Sequence, residues 1–546
     1  MFNLRNIVGR KRPDHPMYDV EAARKLLLDL PVEPAQALAE IASWLDTVCR
    51  TEGFDPDDRI GVVKLLDEAG QKRAAFVLTA FLSDTRMKEF DRLQLWQALA
   101  GFWEHLAAGY QVCLKEIESG RGPKDEPHPE RVLIVLRALR AFAQDAKVLH
   151  LRYLPVAPRI WQSLADLYAS SENGQFSAKP LKLYADDPLP TTARQEFLRE
   201  LMLDASLPES ELPKDIELAS RVIARLGGGF LLHLAPGEGC NLCFDLAHPG
   251  RPFHHTPATP ASKSLRYFGP GLVEAGIREI IARHASHPGE PEKRLGDEFS
   301  IDDKLLVLKH LLLYWGTTPP HRRAQRVKLS APVKIAHGLT AASHLVTRIE
   351  FSGMAEITSS LNLSLKKQTG LTLEEQSAAI AITEWTERDA SLWGLGVDIP
   401  RQDENWARIG ALCAIQPAGL KVWWVGVIRR FYRDAANRAH AGIEIIAKKP
   451  LAVYLRGLGE GAQRADNWAS SSGSFQFTYV GALLLGDSAT AGRKEMLVPR
   501  EGFTPGLLYE AMIGEETPHV RLDELLERGE DYDRVRVTWL KGHGPG

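Results

Sequence analysis

The run His321-Arg322-Arg323-Ala324-Gln325-Arg326 is followed, 63 positions after Arg326, by Asp389-Ala390-Ser391-Leu392-Trp393-Gly394. The first fits R-x-x-x-R through Arg322 and Arg326, and the second fits D-x-S-x-x-G throughout. Just upstream, Gly316-Thr317-Thr318-Pro319-Pro320 breaks a helix predicted over residues 302–314 and reads as a linker, because proline cannot continue a helix. Downstream, β-branched and aromatic runs bounded by turn residues predict strands over residues 327–329, 392–399, 421–430 and 442–447. Residues 371–382 could form a helix instead.

Working outward from that boundary, residues 18–225 are helical in pattern. Apolar side chains recur at three- and four-residue spacings over residues 34–49, 59–66, 92–117 and 131–146. Pro34 suits a first helical position, and Asp55, Asp57 and Asp58 complement a helix N-terminus. Trp44, Trp96, Trp103 and Trp161 read as helix-packing residues. No clean repeat period is present. Residues 227–320 are punctuated by glycine and proline around short apolar runs, the texture of a small mixed region. Near the end of the chain, residues 475–484, 495–498 and 535–540 predict strands, and the acidic stretch 522–528 predicts a helix.

The architecture expected is α+β multidomain. It comprises an α-helical domain (residues 1–226), a mixed connector with linker (227–320), a β-barrel (321–450) and a β-rich C-terminal extension (451–546).

Composition narrows the function classes. The chain has 546 residues, 44% of them apolar and 25% charged, which fits ordinary globular domains and excludes global disorder. Lys and Arg total 67 against 70 acidic residues, so a broad polyanion-binding surface is excluded while a local basic pocket is not. Five cysteines are too sparse for a disulfide framework and point to a reducing compartment. No apolar run follows the basic N-terminal residues, so no secretory signal is expected. The most apolar stretch, residues 305–315, is too short to span a bilayer. A cytoplasmic protein is expected.

The ordered pair of arginine and Asp/Ser/Gly motifs resembles the signature of the PilZ domain, a β-barrel receptor for cyclic di-GMP. Val425-Gly426-Val427-Ile428-Arg429-Arg430 and Ala441-Gly442-Ile443-Glu444 also look like that family's later strands. The resemblance covers about residues 320–450 and implies a six-stranded antiparallel barrel there. It also implies a ligand set of Arg322, Arg323, Arg326, Asp389, Ser391 and Gly394, with Arg323 an alternative to Arg322. The chemistry suits these residues. Guanidinium forks can bond guanine O6 and N7 or pair with phosphates. A carboxylate can accept from guanine N1 and N2 hydrogens, a hydroxyl can reach phosphate or base, and glycine permits close backbone approach. The gap between the motifs implies an insertion over residues 341–385.

The size and helical N-terminal part are similar to larger PilZ-type receptors of the FimW kind, which serve surface attachment and type IV pili. That likeness implies cyclic di-GMP as ligand, no cofactor, and a protein partner reached through the helical domain. Neither DNA, RNA nor a membrane span is expected. A degenerate barrel acting only as a structural adaptor is the alternative.

Among other candidates, Cys240 and Cys243, with His248, His254 and His255 downstream, could supply zinc ligands. A second C-x-x-C and a regular H-x-x-x-H are missing, and two thiols in a turn is the favoured reading. Arg429, Arg430 and Arg433 could extend a positive rim, but strand alternation lets only some of them face a ligand. Trp393 could stack on a guanine or pack the barrel. No G-x-x-x-x-G-K-[ST], G-x-S-x-G or H-E-x-x-H sequence is present, and no catalytic role is expected.

Overall fold

The computed structural model describes residues 13–83, 87–119, 130–286, 295–320, 325–350, 380–458, 480–486, 494–500, 502–513 and 516–540. The chain divides into two compact units, Met1–His321 and Arg322–Gly546.

The first unit opens with eight helices: α1 (Val20–Leu27), α2 (Pro34–Arg50), α3 (Pro56–Ser83), α4 (Glu89–Ser119), α5 (Arg131–His150), α6 (Pro158–Asn173), α7 (Ala193–Ala205) and α8 (Pro213–Leu226). Pro34 occupies the start of α2, where its missing N–H costs nothing, and the Glu33 carboxylate accepts from the backbone N–H of Ala35 and Gln36. Thr192 and Gln195 form a reciprocal cap at α7. Trp103 and Trp161 are buried and Trp44 and Trp96 pack against the same core, as expected of helix-packing residues.

A four-stranded antiparallel sheet follows, in the order β1 (Leu231–His233), β4 (Leu265–Gly269), β2 (Leu242–Asp245), β3 (Phe253–His254). Then come α9 (Leu272–Ser286) and α10 (Ile301–Trp315). This stretch shares one hydrophobic core with the helices. Phe244 of β2 packs edge-on to Phe197 of α7, and Phe230 edge-on to Trp315 of α10.

Within the helical bundle the Asp67 carboxylate is fully buried. It accepts from the hydroxyls of Tyr110 and Tyr184 and from the Gln71 amide, and Arg137 Nη1 stands 3.3 Å away. Burial outweighs these partners and holds the carboxyl above the usual range.

Other buried acids of this unit set its response to pH. Burial pushes Glu200 and Asp145 up to about 7 and Asp215 up to about 6. Each carboxyl therefore binds its proton more tightly in the folded state. Its contribution to stability is complete below about pH 4 and is lost as pH rises towards 7. His150, where burial is outweighed by the charge of Glu200, is raised and acts in the same direction. Calorimetry is expected to show this unit melting at a higher temperature at pH 5 than at pH 8. Equal midpoints would contradict the assignment.

The second unit contains two closed antiparallel barrels. The strands of the first are β6 (Pro332–His337), β7 (Thr383–Ser391), β8 (Gly394–Asp398), β9 (Leu412–Pro417), β10 (Trp424–Arg433) and β11 (Ala439–Ala447). They run in the order β7-β6-β9-β10-β11-β8, and pairing of β7 with β8 closes the ring. The short β5 (Val327–Lys328) adds to β7. Alternation sends Val333, Ile335, Trp385, Leu395, Val397, Ile428, Ile443 and Ile445 inward, all of them buried. The six-stranded barrel expected over residues 321–450 is therefore present.

The second barrel follows the order β12 (Pro450–Leu458), β13 (Val480–Leu485), β14 (Glu495–Pro499), β17 (Tyr532–Leu540), β16 (His519–Arg528), β15 (Leu508–Met512). Its own core includes Val453, Ala482, Met496, Val520, Leu522, Val535 and Val537. The helix expected over residues 522–528 is a correction: these residues belong to strand β16. Register shifts between Leu522 and Glu524 and between Leu525 and Glu527 interrupt the period-2 alternation, leaving leucines at helix-like spacings.

Between the barrels lies α11 (Leu339–Glu350). Its Leu339, Ala342, Leu345 and Val346 join Val425 and Val427 of the first barrel and Tyr454 and Leu483 of the second in one apolar cluster. The helix occupies the start of the insertion expected over residues 341–385; residues 351–379, including most of the helix considered over 371–382, lie outside the described residues. One part of the first barrel's outer surface is thus an interface, and its opposite part carries the motif.

Candidate functional site

Strand β7 starts as a regular barrel strand, with Trp385 and Glu387 inward, so strict alternation would send Asp389 inward as well. It does not. Glu387 pairs with Val397 and Asp389 with Gly396, so Arg388 is one residue too many on β7. This bulge turns Asp389 to the outer face, where Ser391 also lies, opposite Gly394.

Strand β5 brings in the arginine motif. Lys328 is opposite Asp389 and Val327 opposite Ala390, which places Arg326 beside the end of β7. Arg326 Nη1 donates to Asp389 Oδ1, and both side chains are about a third exposed, at 27% and 32%. Ser391 Oγ donates to the carbonyl oxygen of Gly394 over 3.3 Å. The sequence motifs therefore meet: Arg326, Asp389, Ser391 and Gly394 share one patch. Arg322 and Arg323 lie outside the described residues.

Two glycines make the patch possible. A Cβ on Gly394 would stand 3.1 Å from Ser391 Oγ, and one on Gly396 only 2.6 Å from Asp389 Oδ1. Gly396 was missed by sequence reasoning, though its G-x-G spacing with Gly394 was visible. Arg388 was missed as well, because only the bulge gives it its place. Arg388 Nη1 donates to Tyr432 Oη at 2.9 Å and lies 3.1 Å from His440 Nδ1, while its Nε is 3.4 Å from Asp398 Oδ1.

The three later arginines separate. Arg433 bonds Glu404 at 2.7 Å. Arg429, the bulged residue of β10, bonds Glu444 at 2.8 Å and Glu527 of the second barrel. Arg430 stands on the motif's face, opposite Gly442. The Trp393 ring has the Lys448 ammonium 5.4 Å from its centroid, a cation–π contact that Lys448 also makes with Trp424 at 4.9 Å.

Cys240 and Cys243 belong to a small buried cluster with Leu265 and Tyr267. Burial, with the neighbouring Cys240, pushes the Cys243 thiol up to about 11, the opposite of what a thiolate ligand needs. Among the described residues, one group brings three potential metal donors within 4.8 Å: His150, Glu200 and Asp204 of the first unit. These are engaged with protein charges, His150 Nε2 with Glu200 at 2.8 Å and Arg251 with Asp204 at 2.9 Å.

Comparison with known proteins bears on the helical part. Residues 21–236 match the family model described as "Cyclic-di-GMP receptor FimW, N-terminal domain". Over that stretch, about two fifths of the chain, the sequence is similar to the FimW N-terminal domain. The matched stretch runs from α1 through α8 and past β1, and it contains the Asp67 network described above. The likeness to larger FimW-like receptors is thus borne out over these residues. No curated protein matches the chain. A solved structure titled "MrkH, A novel c-di-GMP dependence transcription regulatory factor" aligns with 35% of this chain and 84% of its own. The identity is 11% and the TM-score 0.14, too weak a superposition to bear on fold or ligand. No helix among the described residues is long and apolar enough to cross a membrane.

Proposed function

We propose that the chain is a cytoplasmic cyclic-di-GMP receptor whose first β-barrel binds the nucleotide. The observation that carries this reading is the convergence of Arg326, Asp389, Ser391 and Gly394 on one outer patch, although 63 positions separate Arg326 from Asp389. The similarity to the FimW N-terminal domain supports it, since the family is described as a cyclic-di-GMP receptor.

The chemistry follows from the donor and acceptor sets. The Asp389 carboxylate accepts from guanine N1–H and N2–H, an edge that adenine does not offer. Arg326, with Arg322 and Arg323, supplies guanidinium forks for phosphate or for guanine O6 and N7. Ser391 gives a hydroxyl, and Gly394 lets the ligand approach the backbone. The Arg326–Asp389 pair is exposed enough to be worth only about 0–1 kcal/mol, so a nucleotide can replace it at small cost.

Binding is signalled rather than turned over. The bound barrel acts, through the segment 316–320 and the helical domain, on a protein partner in surface attachment or pilus motility, without DNA or RNA. Competition against labelled cyclic di-GMP tests the base reading. Unlabelled cyclic di-GMP is expected to displace the label and cyclic di-AMP to fail at a 100-fold higher concentration. Equal displacement would contradict the role given to Asp389, and failure of the label to bind would leave the barrel as a structural adaptor.

A further inference from the structure

Ligand-binding side chains need a floor as well as walls, and the barrel provides one beyond the motif. Asp389 pairs with Gly396 of β8, Gly396 with Gly442 of β11, and Gly442 with Arg430 of β10. All four residues are on the outer face, because the neighbours Leu395, Ile443 and Phe431 point inward and are buried. Three strand spacings separate Asp389 from Arg430, about 14 Å. Between them the row carries no Cβ; the Asp389 carboxylate itself reaches over Gly396, which leaves Gly442 as the bare floor next to it.

One side of this trough is walled. The next row is Asp398, His440 and Tyr432, across β8, β11 and β10. The bulged Arg388 joins all three, and His440 Nδ1 is 2.7 Å from Asp398 Oδ1. The far end is cationic: the Arg430 guanidinium lies 5.7 Å from the Tyr432 ring centroid, a contact that steers it along the strand. A flat purine can lie against glycine Cα atoms but not against Cβ atoms, and a fork-shaped cation at the far end suits an anion.

The geometry points to a further ligand-binding residue, Arg430. The guanine held at its Watson–Crick edge by Asp389, whose carboxylate covers Gly396, lies flat on Gly442, and Arg430 takes a phosphate of the same cyclic dinucleotide at the far end of the trough. This rests on the receptor reading above and goes beyond its motif, because Arg430 stands about 40 positions after Asp389 on another strand. It also accounts for both glycines: Gly396 makes room for the Asp389 carboxylate, and any side chain at position 442 would lift the base off the floor.

Calorimetric titration of the full chain with cyclic di-GMP, at two salt concentrations, tests the assignment on Asp389→Ala, Arg430→Ala, Arg430→Lys and Gly442→Val. Arg430→Ala is expected to weaken binding at least 10-fold and to flatten its salt dependence, since one phosphate contact is gone. Arg430→Lys, which keeps the stem and the charge, is expected to recover part of the affinity and the salt dependence; it gives the same reading should the alanine variant fold poorly. Gly442→Val is expected to weaken binding at least 10-fold without removing any polar group. If Asp389→Ala loses binding while the Arg430 and Gly442 variants bind like the unmodified chain, the trough assignment is overturned and the receptor reading stands. If the unmodified chain does not bind, both fall.

Discussion

Gly396→Val is expected to weaken cyclic-di-GMP binding about as much as Asp389→Ala, although it removes no functional group. The first carbon of any side chain at position 396 falls 2.6 Å from Asp389 Oδ1 and 3.0 Å from its Cγ, so the carboxylate must swing aside. Asp389→Ala leaves the guanine edge unpaired, a loss of about 2–3 kcal/mol or roughly 30- to 150-fold. Gly396→Val forfeits the same contact, because its side chain takes the place of the carboxylate. The barrel tolerates the change, because position 396 is outward, valine suits a strand, and what moves is the end of a flexible side chain. Titration paired with a melting curve measures both consequences. Binding should collapse while the melting midpoint holds. Retained binding would show that Asp389 acts from another position.

Arg137→Ala is expected to destabilise the helical part of the first unit by about 3–5 kcal/mol, the usual cost of leaving a buried charge without its counter-charge. Asp67 is 0% exposed and cannot be reached by water in the native fold. With Arg137 gone, Tyr110, Tyr184 and Gln71 remain as neutral donors to a carboxyl already raised by burial, and it takes up a proton instead. Arg137 also donates to the carbonyl oxygen of Leu183, at 2.6 Å from Nη2, so the loop before α7 loses its anchor as well. A double variant, Asp67→Asn with Arg137→Met, removes both charges and should recover part of the loss. Urea unfolding of the full chain, followed by tryptophan fluorescence, reports it: Trp44, Trp96, Trp103 and Trp161 all belong to this core. A loss below about 1 kcal/mol would mean that the network contributes little.

What the sequence made legible follows from which signals are local. The α2 start at Pro34, strands β8, β10, β11, β14 and β17, and the meeting of Arg326 with Asp389 and Ser391 all rest on short patterns, and all are present. Long-range closure was not legible. The second barrel closes through β12 pairing with β15, and nothing within either strand announces that pairing. Strand β16 was misread because its two register shifts disguise alternation as helical periodicity. The same kind of irregularity hid part of the site: the bulge at Arg388 reverses the face of Asp389, and the glycine row Gly396–Gly442 exists only across strands. A motif shows which residues take part; register shows what lies between them.

Titration calorimetry of cyclic di-GMP into the full chain is the most direct measurement of the receptor claim. Saturable binding that is lost on Asp389→Ala and on Arg326→Ala, with both variants folded, is the result predicted. The absence of a binding isotherm from the folded, unmodified chain would contradict it.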